Sequence, residues 1–151
     1  AQRRIVEFGF AVAAAELGDP DALESVRAGV FAPEEQGELA LLACEALGRL
    51  GDQTYAGVLE ERAFRAASGE IPLEIGLAAA GAVAQLRPEM APLAWIVESG
   101  SHEQPLIRQQ AAAILGLTVG SEAEAKLLAM LQDPDPLARA SAAVSVLRRG
   151  R

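Results

Sequence analysis

The sequence predicts an all-α protein. Three observations carry that prediction: long Ala-, Leu-, Glu- and Arg-rich segments with few β-forming residues, a helical-period frame that recurs five times, and helix-ending residues between the recurrences. Half of the residues are apolar but only 4% are aromatic. The interior must therefore be built from Ala, Leu, Val and Ile, whose small side chains let helices approach closely. At 151 residues the chain has the size of one domain, and residues 1–151 read as a single domain excised from a larger protein with further domains of the same chain flanking it.

The frame starts at an aliphatic position: Val6, Leu39, Ile75, Ile107 and Ala138, separated by 33, 36, 32 and 31 residues. Four and five residues on stand Phe10/Ala11, Ala43/Cys44, Ala79/Ala80, Ala111/Ala112 and Ala142/Ala143, and eight on stand Ala14, Leu47, Val83, Leu115 and Val146. Positions 0, 4, 5 and 8 share one face of a helix. Five second, or B, helices follow from this, with Val6, Leu39, Ile75, Ile107, Ala14, Leu47, Val83 and Leu115 expected to be buried. The period matches one helix pair. First, or A, helices fall between them around Leu23 and Val26, Val58 and Leu59, Leu93 to Val97, and Lys126 to Leu131.

The boundaries carry their own signals. Asp19-Pro20, Asp133-Pro134 and Asp135-Pro136 each place a capping acid before a proline suited to the first helical turn. Ser121 with Glu124 has the spacing of a capping box. Gly18, Gly51, Gly100, Gly120 and Gly150 stand where helices should stop.

The pattern aliphatic-Arg-x-x-Ala-Ala-x-x-Leu-Gly is complete at Ile107 to Gly116 and nearly so at Ala138 to Leu147, and it resembles HEAT-like repeats of the phycobilisome-lyase type. Glu7, Ala40 and Gly76 stand where the repeat usually has Arg, which only Arg108 and Arg139 keep. The resemblance implies a right-handed α/α superhelix, a solenoid of about four to five helix pairs, with B helices along the concave face and a role in protein interaction. It is specific for fold and poor for function.

Several chemistries can be set aside. The net charge of −8 and the pI near 4.7 disfavour a nucleic-acid backbone, and the basic residues cluster only at Arg3/Arg4 and Arg148/Arg149/Arg151. No apolar run is long enough for a membrane span. The expectation is a soluble chain, with the cytoplasm favoured and the compartment itself not encoded. In the deoxyhypusine hydroxylase relatives of this fold, His-Glu pairs after the Arg hold two irons. Here those positions read Phe8-Gly9, Leu41-Leu42, Leu77-Ala78, Gln109-Gln110 and Ala140-Ser141, with no ligand among them. The one His-Glu pair, His102-Glu103, falls in a loop, and a lone histidine lacks the three or four donors a metal site needs. Cys44 occupies a slot that holds Ala in the other four recurrences, which suits a buried structural thiol rather than a nucleophile. Glu34/Glu35, Glu60/Glu61 and Glu122/Glu124 sit at turns and helix ends, where carboxylates are ordinarily solvated. No metal, cofactor or catalytic residue is expected, and the chain reads as a non-enzyme. A bilin-lyase-like or other enzymatic auxiliary of the same repeat family is the alternative, although the six aromatic residues are too scattered to stack on a tetrapyrrole.

The face opposite positions 0, 4, 5 and 8 comprises positions 2, 6 and 10, at about 200°, 240° and 280° around each B helix. On the concave side this predicts a strip for a protein or peptide partner that includes Phe8, Val12, Leu41, Glu45, Leu77, Gln109 and Leu117.

Overall fold

A computed structural model describes residues 2–150. Among the described residues every regular element is helical and there is no strand. In chain order the α-helices are α1 (Gln2–Glu16), α2 (Pro20–Gly29), α3 (Gly37–Leu50), α4 (Ala56–Ala67), α5 (Leu73–Leu86), α6 (Leu93–Ser99), α7 (Pro105–Leu115), α8 (Ser121–Met130) and α9 (Pro136–Arg149). Single 3₁₀ turns precede α3 and α4 and follow α5.

Helices α1, α3, α5, α7 and α9 are the B helices, and each packs on the next. Helices α2, α4, α6 and α8 each pack on the B helix that follows them, so they form the second layer. The sequence period reappears as a spatial offset. A side chain at Gly37 would meet Ile75, Gly81 sits against Ile114, Ser141 Oγ donates to Gln109 O at 2.8 Å, and Ser145 Oγ donates to Ala112 O at 2.8 Å. Contacts advance together along both partners, with Gln110 also reaching Glu74 O, so the B helices from α3 to α9 run parallel. Small residues permit this approach: a Cβ at Gly48 would come within 2.8 Å of Ala82 Cα, and one at Gly116 within 2.6 Å of Ser145 Oγ.

Local chemistry explains where the helices start. Asp19 Oδ1 accepts the amides of Asp21 and Ala22 at 2.9 and 3.2 Å, and Asp135 Oδ2 accepts that of Ala138 at 2.9 Å, each at the head of a helix beginning with proline. Asp133 is used differently. It takes the Asp135 amide and a two-pronged ion pair from Arg108, at 2.8 and 2.9 Å, across one helix pair. Arg27 and Asp52 form a second such pair at 2.7 and 2.8 Å. The expected capping box does not form: Gly120 is the cap of α8, Ser121 already lies inside the helix, and no side chain caps this end. Gly51 closes α3 with φ +73°, a left-handed conformation that explains glycine there.

Ile75, Ile107, Leu47, Val83 and Leu115 are buried in one continuous core, and Leu39 and Ala14 are half-buried. Val6 is not buried; it is 59% exposed. Positions 0 and 4 of α5, α7 and α9 are buried in units that have a preceding A helix, whereas no described helix lies over Val6 and Phe10. Helix α1 is turned accordingly, so that Phe8, Ala11, Val12 and Ala15 face the core.

Candidate functional site

The B layer leaves one continuous edge open. A cleft of ≈ 380 Å³ crosses α3, α5, α7 and α9, floored by Ala78, Gly81, Ala82, Ala113 and Ile114 and flanked by Glu45, Arg49, Gln85, Gln110, Leu117 and Arg148. A second cleft of ≈ 370 Å³ lies between α1 and α3, lined by Ile5, Phe8, Val12, Glu16, Leu42 and Arg49 among others. Arg49 belongs to both, so the two form a groove touched by all five B helices.

From α3 to α9 the frame positions that line this groove are 3, 6, 7 and 10, at about 300°, 240°, 340° and 280°, whereas the turned α1 also presents Ile5 and Phe8, at positions −1 and 2. Glu45 and Leu117 line the larger cleft and Phe8 and Val12 the smaller. The other three expected residues do not reach the groove. Leu77 is fully buried and cannot meet a partner. Leu41 is half-buried against the core, and Leu42 lines the groove in its place. Gln109 is half-buried beneath α9, where its carbonyl accepts Ser141, and Gln110 lines the groove instead. The reason is common to all three. Each inner B helix packs against its A helix and a B helix on either side, α7 touching α8 as well, and position 2 turns toward the next B helix. The direction opposite the A helix is therefore only partly open. The spacing of small residues at position 5, which the next B helix covers, carried that information.

Electrostatics give the groove a mixed character. Arg49 and Arg148 form no ion pair with any described residue, in a chain of net charge −8. The Glu45 carboxyl is pushed above the usual carboxylate range by burial, with Arg49 opposing that shift. The side-chain amides are partly engaged, Gln110 Nε2 donating to Glu74 O at 2.8 Å and Gln85 Nε2 to Gly81 O at 3.4 Å.

The lone reactive groups lie elsewhere. Cys44 is fully buried in the core, and desolvation pushes its thiol up to about 12, so the thiolate is scarce at neutral pH. His102 Nδ1 accepts the Gln104 amide at 3.1 Å in the loop before α7. Among the described residues no three His, Cys, Asp or Glu side chains converge as a metal site, and no helix is long and apolar enough to cross a membrane. The repeat arginines are structural. Arg108 pairs with Asp133 and donates to the carbonyls of His102 and Glu103, while Arg139 donates to the carbonyls of Asp133 and Pro134 at 2.7 and 3.1 Å. Each arginine thus ties down the loop that enters its own helix. Arg149, read from sequence as part of a terminal basic group, is engaged by the carbonyls of Leu115, Thr118 and Gly120.

Comparison with family models, curated proteins and solved structures finds no match to this chain.

Proposed function

We propose that this chain is a non-catalytic scaffold that binds a polypeptide along the open edge of its B layer. The carrying observation is the groove itself: α5 and α7 supply a floor of Ala, Gly and Ile, α1 and α3 continue it with Phe8, Val12 and Leu42, and its rim holds half-buried Glu45 with Arg49 and Arg148, which form no ion pair with any described residue. In this reading the helix pairs are HEAT-like repeats wound as a right-handed solenoid, and the groove is its concave side. At ~9–10 Å per helix, five helices offer about 40–50 Å, enough for an extended peptide or an amphipathic helix. A floor without a deep enclosed cavity favours a chain laid along it over a small substrate. The acidic net charge weighs against a nucleic acid as the bound chain.

Peptides selected on the immobilised chain from a random display library provide the test. Leu117→Asp, at the rim, and Ala113→Arg, on an exposed part of the floor, should each weaken a selected peptide by more than ~2 kcal/mol, about 30-fold. Glu34→Ala with Glu35→Ala, on the far turn, should change mainly the association rate and its salt dependence. Peptides that ignore both groove substitutions and lose binding with the turn substitutions would move the site to the acidic edge.

A further inference from the structure

Most of the basic side chains are committed within the fold. Arg27 and Arg108 pair with aspartates, while Arg62, Arg139 and Arg149 donate to loop carbonyls and Lys126 to a serine hydroxyl. Among the described residues, Arg4, Arg49 and Arg148 alone of the basic side chains make neither a hydrogen bond nor an ion pair. Two of these three line the larger groove cleft, Arg49 from α3 and Arg148 from α9. Glu45 is the one acid lining that cleft, and although it stands one turn before Arg49 on the same helix the two form no ion pair.

The other clefts offer no such excess of available positive charge. The cleft between the turns that precede α3 and α5 sets Glu34 and Glu70 against Arg62, and the one beside His102 sets Glu103 and Asp133 against Arg108 and Lys126. In both, the bases are already engaged. The smaller groove cleft balances Arg49 with Glu16. In a chain of net charge −8, the positive excess is therefore confined to the part of the groove that runs from α3 to α9.

We propose that the polypeptide laid in this groove is an acidic one, whose Asp or Glu carboxylates meet Arg49 and Arg148. This rests on the groove being the binding surface and adds the chemistry of what it binds. A guanidinium matches a carboxylate with two parallel hydrogen bonds, and the apolar floor between the two arginines suits the uncharged residues of the same segment. The arginines stand on helices three steps apart, at most ~30 Å, so carboxylates about six to nine residues apart in an extended chain reach both. Glu45 leaves room for one cationic residue in an otherwise acidic segment. Away from the cleft the negative field of the molecule disfavours that segment, which fixes its placement. A nucleic acid, with a charge at every phosphate, would set its remaining charges against Glu45 and the acidic turns.

Two display libraries of peptides about twelve residues long, the ~40 Å of extended chain that matches the groove, provide the test when selected on the 151-residue chain. One library carries Asp and Glu as its only charged residues and the other Lys and Arg. The acidic library should yield the tighter binders. Arg49→Gln and Arg148→Gln, at exposed positions with no partner to lose, should each weaken an acidic binder about two- to fivefold, and together by about the product. Neither should affect the same peptide with its Asp and Glu changed to Asn and Gln. Ala113→Trp, at an exposed part of the floor, fills the cleft without altering charge and reports whether a peptide lies there. Binders that ignore Ala113→Trp, or a chain that captures no peptide from either library, would remove the groove reading and the acidic partner with it. Binders that Ala113→Trp displaces but that come mainly from the basic library, or acidic binders indifferent to the double arginine variant, would leave the groove standing and overturn the acidic partner. So would a single-stranded oligonucleotide that competes with the acidic peptides and binds more tightly than they do.

Discussion

Helix α5 and the two end helices share a frame and differ in surroundings. Eleven of the fourteen residues of α5 are buried, whereas α1 has none, and in α9 only Ala138, Ala142 and Ser145 are. The same small-residue pattern thus does opposite things. In the middle it lets α3, α4 and α7 close on α5, with Gly76 so near Ala66 that an added Cβ would lie 1.9 Å from the Ala66 Cβ. At the ends it leaves an apolar strip facing water. A repeat unit is therefore not a unit of stability here; its neighbours are.

The largest effects should come from breaking the middle. Leu77→Asp places a carboxylate where no solvent reaches, and together with the lost leucine packing it should cost at least ~4 kcal/mol, a large part of the usual stability of a domain. Gly76→Ala should cost about 1–3 kcal/mol or more, since the clash is with a backbone-fixed methyl group. Chemical denaturation with both variants measures this. A native-like midpoint for either would mean that α5 is not the keystone of the layer.

Next in size is the Arg108–Asp133 pair, which locks the α8–α9 loop to α7. Hydrogen bonding to Arg108 holds the Asp133 carboxyl below its ordinary value. A group with a lowered folded pKa contributes stability above its unfolded pKa and loses it as pH falls through the folded value. The contribution should therefore be intact at neutral pH and disappear below about pH 4. Asp133→Asn should lower the thermal midpoint at pH 7 by several degrees and flatten the acid limb of the stability curve. An unchanged acid limb would mean that other carboxylates set it.

Cys44→Ala sharpens the comparison within the core. The thiol is fully buried and raised by desolvation, and its slot holds Ala in α5, α7 and α9, so a loss of only ~1–2 kcal/mol is expected with peptide binding unchanged. At the layer's end the sign reverses. Gly9 lies inside α1, and a Cβ added there would meet no atom within 4 Å, so Gly9→Ala should stabilise by about 0.5–1 kcal/mol through helix propensity alone. The matching change at Gly76, in the middle, should do the opposite.

The helices, their pairing and most of their core were legible because position 0 and the small residues at 4 and 5 recur at a nearly constant interval, as Ile75, Ile107 and their equivalents do. The groove was only half legible. Angles around a single helix identify the side opposite a core, but Leu77 and Gln109 are covered by neighbours that a single-helix projection does not contain. Val6 failed for the complementary reason: the frame assigns it to the core, and nothing among the described residues covers it. The ion pairs Arg27–Asp52 and Arg108–Asp133 bridge residues 25 apart, and that shared spacing was a readable signal.

The smallest expected effect concerns the groove's own chemistry. Glu45 is half-buried in the cleft wall, and desolvation, partly opposed by Arg49, raises its carboxyl above the ordinary range. For a group whose folded pKa is raised, stability is fully present below the unfolded pKa and is lost as pH rises through the folded value. At neutral pH the ionised Glu45 therefore works against folding. Glu45→Gln should raise the thermal midpoint at pH 7 by no more than ~2–4 °C, equivalent to about 1 kcal/mol at most given solvent screening, and the gain should vanish near pH 4. If the groove binds a polypeptide, the same substitution should change affinity for peptides carrying Lys or Arg and leave apolar peptides unaffected. In that case the partly desolvated carboxylate would give up stability for selectivity toward a cationic side chain. Equal affinity of both peptide classes for Glu45→Gln and wild type would show that this carboxylate plays no part in recognition.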